Sequence, residues 1–129
     1  MRVLLLEDEP LLAMLLEETI ADLGHQPIGA AATVAQALAL LESEVVDCAL
    51  LDYSLGDTAT SVPVAQRLQR DGIPFCYLSG HNSLEPEENA PEGPLLTKPA
   101  SIDTLARALD SMAALRIRAD YPSAPGSPA

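Results

Sequence analysis

The sequence is poor in aromatic residues: 129 positions hold no tryptophan, one phenylalanine and three tyrosines. With 48% hydrophobic residues, the core must therefore be aliphatic, built from Leu, Val, Ile and Ala. The length suits one domain with a substantial interior and excludes two. Cations are also scarce, 7 Lys and Arg against 19 Asp and Glu, for a formal charge of −12. Such a surface repels phosphate backbones and anionic lipid, so neither nucleic acid nor membrane is an expected partner. No apolar run approaches the ~18 residues of a membrane span. The opening MRVLLLEDEP meets carboxylates within seven residues, too soon for a signal peptide, and a cytoplasmic location is expected. The only two cysteines, Cys48 and Cys76, lack CxxC spacing and fall in strand-like apolar runs, which points to core filling. GxGxxG and GxxxxGKS/T loops are absent, so a nucleotide-binding loop is not indicated.

What is present is an alternation of short apolar runs with helical periodicity, the pattern of a parallel α/β sheet. Val3–Leu6 is uniformly apolar, as a strand covered on both faces should be. Pro10 suits a first helical position, with Leu12, Leu15, Leu16, Ile20 and Leu23 on one face and Gly24 as the stop. Gln26–Ala31 is a weaker strand, and Thr33 with Gln36 forms a T-x-x-Q capping box for the next helix. Val45–Leu51 reads as a third strand closed by Asp52. After a loop at 54–61, a helix covers Val62–Arg70, Pro74–Leu78 and Leu95–Thr97 are strands four and five, and a final helix follows Ser101 with Ile102, Leu105, Leu109 and Met112 on one face. Where a fourth helix belongs, 84–94 holds three prolines and four glutamates. That helix is expected to be short or disordered, one turn at most.

In open parallel sheets, functional groups gather at the carboxyl ends of the strands. Here those ends carry Glu7-Asp8, Asp52, Ser79 and Thr97-Lys98-Pro99, and Lys98 is the only lysine in the chain. Singly, each has a plainer reading. Acids suit a solvated helix entry, and an aspartate or Ser-Gly suits a turn. Together they are chemically complementary. Converging carboxylates repel and raise a pKa unless a cation neutralises them, and Mg²⁺ is served by one or two carboxylates with oxygen donors and a phosphate. One carboxylate can then act as a nucleophile towards phosphorus, with a lysine and a hydroxyl on the phosphoryl oxygens.

On these residues the chain resembles a response-regulator receiver domain, the CheY-like phosphoacceptor of two-component signalling, over residues 1–118. The resemblance implies a five-stranded doubly wound parallel sheet of order 2-1-3-4-5 with helices on both faces, and leaves 119–129 as a Pro-rich disordered tail. It implies Asp52 as phosphoacceptor, and Mg²⁺ held by Glu7, Asp8, Asp52 and the main-chain carbonyl of Ser54. Ser79 and Lys98 would bind the phosphoryl group, and Pro99 would shape the turn, usually through a cis bond. The stretch 74-PFCYLSGH-81 is similar to the PFxFATGY signature of a stand-alone receiver subclass, departing at Leu78 and His81. Typical receivers carry Tyr or Phe three residues before the lysine, where this chain has Leu95. The subclass also tends to lack that aromatic, which suggests switching by ordering of 84–94. The implied function is a single-domain response regulator, not an enzyme, that takes phosphate from a sensor histidine kinase or phosphotransfer protein and signals through protein contacts.

Two other readings compete with this one. A haloacid-dehalogenase-like phosphatase also forms an aspartyl-phosphate but expects an acid two residues after the nucleophile, where 52-DYS-54 has serine. An unphosphorylated pseudo-receiver would have no need of Glu7, Asp8, Asp52, Ser79 and Lys98 together. His25, at a helix exit, and His81 read as surface or turn residues, Tyr53 as packing, and Arg67 and Arg70 as solvated.

Overall fold

The computed structural model describes residues 1–56, 59–80 and 90–120, with backbone alone for 116–120. The elements run β1 (Arg2–Leu6), α1 (Pro10–Asp22), β2 (Gln26–Ala31), α2 (Val34–Ser43), β3 (Cys48–Asp52), β4 (Ser54–Leu55), β5 (Ala59–Thr60), α3 (Val62–Arg70), β6 (Phe75–Ser79), β7 (Leu95–Thr97) and α4 (Ile102–Asp120). Five strands form one parallel sheet in the order β2-β1-β3-β6-β7. Since β6 and β7 are the fourth and fifth strands of this sheet along the chain, the expected order 2-1-3-4-5 holds.

The uniform apolar runs become the central strands because parallel strands are covered on both faces. Every residue of β3 and β6 is buried. Side chains alternate between two clusters. Leu4, Leu6, Ala49, Leu51, Phe75 and Tyr77 pack with α2 and α3. Val3, Leu5, Cys48, Leu50, Cys76 and Leu78 pack with α1 and α4. Both cysteines are core residues, Cys76 Sγ lying 3.8 Å from Met112 Sδ. Truncating a fully buried leucine such as Leu50 to alanine would cost about 2–5 kcal/mol.

The helix ends follow their sequence signals. Pro10 opens α1, and Gly24, at φ +89°, follows its end. Gln36 N–H donates to Thr33 Oγ1 at 3.1 Å, and Gln36 Oε1 accepts from Ala32 N–H at 2.8 Å. At α4, Thr104 N–H donates to Ser101 Oγ at 3.1 Å.

Several boundaries differ from expectation. β3 begins at Cys48; just before it Asp47 N–H still donates to Arg2 O at 2.8 Å, while Asp47 Oδ2 accepts from Arg2 N–H and Val45 O accepts from Arg2 Nε. Pro74 lies outside β6, yet its carbonyl still accepts from Ala49 N–H at 3.1 Å. The loop at 54–61 contains an antiparallel ribbon, Ser54 opposite Thr60 and Leu55 opposite Ala59. On α1 the buried stripe is Ala13, Leu16 and Ile20, which leaves Leu15 59% exposed; Ile102 is 63% exposed, outside the stripe of Leu105, Leu109 and Met112. Arg67 is not free in solvent: it bridges helices by pairing with Glu42 at 2.6 Å and Asp71 at 2.8 Å. Helix α4 runs on to Asp120. Part of 84–94 is held firmly. Residues 90–94 form no helix, Pro91 is buried, and its carbonyl accepts from Tyr77 Oη at 2.8 Å. The expectations for 84–89, for 121–129 and for His81 lie outside the described residues.

Candidate functional site

The carboxyl ends of β1, β3, β6 and β7 converge on a pocket of about 360 Å³ lined by Asp8, Glu9, Asp52, Ser54, Gly56, Ser79, Gly80 and Lys98. Parallel register creates this convergence. Leu6 pairs with Leu51, Asp52 with Leu78 and Ser79 with Thr97, so the residues after β1 and β7 stand beside the last residues of β3 and β6. Glu7 is anchored where β1 leaves the sheet, its N–H donating to Ala31 O at 2.9 Å. Lys98 N–H donates to Ser79 O at 2.7 Å, which locks the start of the 98–100 turn to the end of β6. The Lys98-Pro99 peptide is cis.

Glu7, Asp52 and Ser79 are buried. The Lys98 ammonium sits between two of the acids, 2.9 Å from Glu7 Oε2 and 3.0 Å from Asp52 Oδ2. Glu7 Oε1 accepts from Glu9 N–H at 3.2 Å. Glu7 Oε2 is fully buried, and among the described residues its one partner is the ammonium, which reaches it as an ion pair. Asp8 Oδ2 accepts from Gly56 N–H at 3.0 Å.

Each of Glu7, Asp8 and Asp52 offers an oxygen, and the three lie within 4.8 Å of one another. One ammonium cannot balance three carboxylates. Burial pushes the Asp52 carboxyl up to about 7; the Lys98 hydrogen bond and charge oppose this, and the neighbouring Glu7 carboxylate adds to it. The Lys98 ammonium is itself raised: burial works against the charge, but bonds to Glu7 and Asp52 outweigh it. An all-oxygen donor set, three carboxylates against one ammonium and a carboxyl held against ionisation together suit a small divalent cation.

Leu95 apart, the residues singled out for the site in the sequence lie at this pocket or directly beside it. Glu7, Asp8, Asp52, Ser54, Ser79 and Lys98 form or support it, Pro99 follows in the turn, and Leu95 is half-buried at the start of β7. Gly56 and Glu9 escaped sequence reasoning. Gly56 has φ +71°, a left-handed conformation that glycine adopts freely, and SLGD was the one available signal. His25 lies at the opposite end of the strands, its Nδ1 3.0 Å from the Met1 nitrogen. Tyr53 is buried with its ring edge-on to Tyr77 at 5.5 Å. A larger cavity of about 570 Å³, between β6, β7 and α4, is mainly apolar, with Phe75, Cys76, Leu96, Met112 and Leu115 in its wall.

Comparison with known proteins gives a consistent result. The family described as response regulator receiver domain matches residues 3–110. The solution structure of SdrG from Sphingomonas melonis Fr1 is 38% identical, covers 87% of this chain and 95% of its own, and superposes with a TM-score of 0.74. The BeF3-activated conformation of SdrG, from Pseudomonas melonis Fr1, is likewise 38% identical, with 86% and 94% covered and a TM-score of 0.73. The anti-anti-sigma factor PhyR from Bartonella quintana is 28% identical over 92% of this chain, at a TM-score of 0.79, and the match spans 49% of the PhyR chain. No match was found among curated proteins.

Proposed function

For a chain that belongs to the response-regulator receiver family, we propose that Asp52 accepts a phosphoryl group from a phosphohistidine and that the protein passes the resulting state on through protein contacts. An Asp52 carboxylate oxygen attacks phosphorus, the new O–P bond forms, and the imidazole N–P bond breaks, returning the electron pair to the imidazole. The observation that carries this reading is the Lys98 ammonium, held between Glu7 and Asp52 at the floor of a pocket that Ser79 also lines. There it meets a phosphoryl oxygen as a point charge, while the Ser79 hydroxyl donates to another.

Glu7, Asp8 and Asp52, with the Ser54 main-chain carbonyl, are the groups that would hold Mg²⁺, which would keep Asp52 ionised and neutralise phosphoryl charge. Gly56 N–H fixes one Asp8 oxygen and leaves the other for the site. Burial of Asp52 and Glu7 limits water at the reacting carboxylate.

The donor reaches this pocket over an apolar surface. Leu11, Met14 and Leu15 of α1 and Ile102 of α4 are exposed, and a groove lined by Leu12, Leu15, Ala100 and Ile102 also includes Lys98 and Pro99. A helix bearing the phosphohistidine can pack there and present its imidazole to Asp52. The test is phosphoryl labelling from acetyl phosphate or a phosphohistidine donor in Mg²⁺. Wild type is expected to form an acyl phosphate and Asp52→Asn none. Labelling retained in Asp52→Asn refutes the assignment, and absence of labelling in wild type favours the pseudo-receiver.

A further inference from the structure

Lys98 leaves a strand of only three residues, β7, which among the described residues has a partner on one side alone, at the edge of the sheet. Such a strand has few ladder bonds of its own, so its position depends on what holds the chain before and after it. After it, Lys98 N–H is bonded to Ser79 O. Before it, both anchors come from one residue. Tyr77 N–H donates to Pro94 O at 2.8 Å, and the Tyr77 hydroxyl donates to Pro91 O, also at 2.8 Å in a buried setting. Tyr77 also pairs with Leu95 in the ladder.

The tyrosine is well fixed for this task. Its ring meets Tyr53 and Phe75 edge-on, at centroid distances of 5.5 and 5.3 Å. Three of the four aromatic residues in the chain are spent on this one cluster. Burial pushes the Tyr77 phenol up to about 12, with a smaller contribution from Tyr53, so the hydroxyl remains a donor. The strap also lies close. A Cβ on Gly93 would come within 2.9 Å of the Phe75 ring, so the segment docks on the aromatic cluster with no room to spare.

We propose that Tyr77 is a positioning residue for Lys98: its main-chain N–H and its hydroxyl clamp the strap 91–94, and the strap fixes β7 and so the ammonium that β7 delivers to the phosphoryl site. The role of Lys98 in this statement rests on the function proposed above. Tyr53 extends the path, because it follows Asp52 directly and its ring rests on Tyr77. With leucine at 95, the aromatic contact that bears on β7 comes from β6 instead.

Tyr77→Phe removes one oxygen and keeps the ring contacts. Amide exchange from Glu92 to Lys98 should quicken about 5–10-fold, as the loss of one buried hydrogen bond implies. In Mg²⁺, beryllofluoride affinity should fall about 3–10-fold, while affinity for Mg²⁺ alone stays within about twofold, since the carboxylates are untouched. Ile20→Val, in the core of α1, provides a mildly destabilised comparison and should leave the local exchange and both affinities at wild-type values. Exchange in 92–98 equal to wild type overturns the clamp. Faster exchange with unchanged beryllofluoride affinity, or equal losses of both affinities, overturns the positioning role. If wild type itself fails to bind beryllofluoride, the aspartyl-phosphate reading fails, and with it the role of Lys98; the exchange result still decides the clamp.

Discussion

Replacing Asp52 by asparagine should stabilise the metal-free protein, although it destroys the proposed phosphoacceptor. The Asp52 carboxyl is buried beside Glu7, and its proton is held up to about 7 in place of the usual 3.8. Asp52 thus binds its proton more tightly folded than unfolded. Its contribution to stability is fully present below about pH 4 and is lost as pH rises through about 7. If the whole displacement were realised, the loss at pH 8 would be about 4 kcal/mol. Lys98 and solvent at the pocket mouth reduce this, and a gain of about 1–2 kcal/mol for Asp52→Asn is the reasonable expectation. That corresponds to a Tm about 3–8 °C higher. Thermal melts in EDTA at pH 5, 6.5 and 8 provide the assay, the lowest point lying above the isoelectric point of about 4.2. The advantage of the variant should be small at pH 5 and largest at pH 8. Saturating Mg²⁺ should reverse the order, since at 100 times its Kd a ligand stabilises by about 2.7 kcal/mol and the variant has lost one donor. An asparagine variant no more stable than wild type at pH 8 in EDTA, or one with the same advantage at pH 5, would refute the argument.

Lys98→Ala should keep measurable Mg²⁺ binding, because the ammonium pairs with the carboxylates rather than donating to a cation, while beryllofluoride affinity drops at least 10-fold, the cost of a charge-assisted hydrogen bond; titration of the two ligands separately tests this, and parallel loss contradicts it. Ser61 Oγ is fully buried and has no hydrogen-bond partner among the described residues, so Ser61→Ala should be neutral or stabilising by up to about 1 kcal/mol in urea unfolding; a loss above about 1 kcal/mol would mean that the hydroxyl has a structural task.

The sheet was legible because its signals are local. Continuous apolar runs in β1, β3 and β6 reflect burial on two faces, and Pro10, Thr33, Gln36 and Ser101 act within one turn of helix. The charged members of the site were legible for a related reason. Each stands at the carboxyl end of a strand, and parallel register alone brings strand ends together. Less legible were features set by partners distant in sequence. Arg2 binds Val45 and Asp47 ahead of β3, Arg67 joins α2 to α3, and Gly56 holds Asp8 across 48 positions. Periodicity also overestimated burial at Leu15 and Ile102, since a short helix on a sheet buries a stripe narrower than its apolar face.

Residues 90–94 show what composition leaves out even where its physics is right. Prolines do exclude a helix over 90–94, but exclusion from a helix is not freedom. A proline carbonyl remains an acceptor, and burial makes an unpaired donor costly. Tyr77 supplies the donor, Pro91 the acceptor, and Gly93 the missing Cβ that allows the approach to Phe75. In the signature that 74–81 resembles, the position of Tyr77 is a phenylalanine, which carries no hydroxyl. The partner of the Tyr77 hydroxyl lies 14 residues away, in a stretch whose sequence carries no periodic signal. The single lysine and the single phenylalanine thus belong to one device: Phe75 and Tyr77 seat the strap, the strap seats β7, and β7 carries Lys98 to the carboxylates.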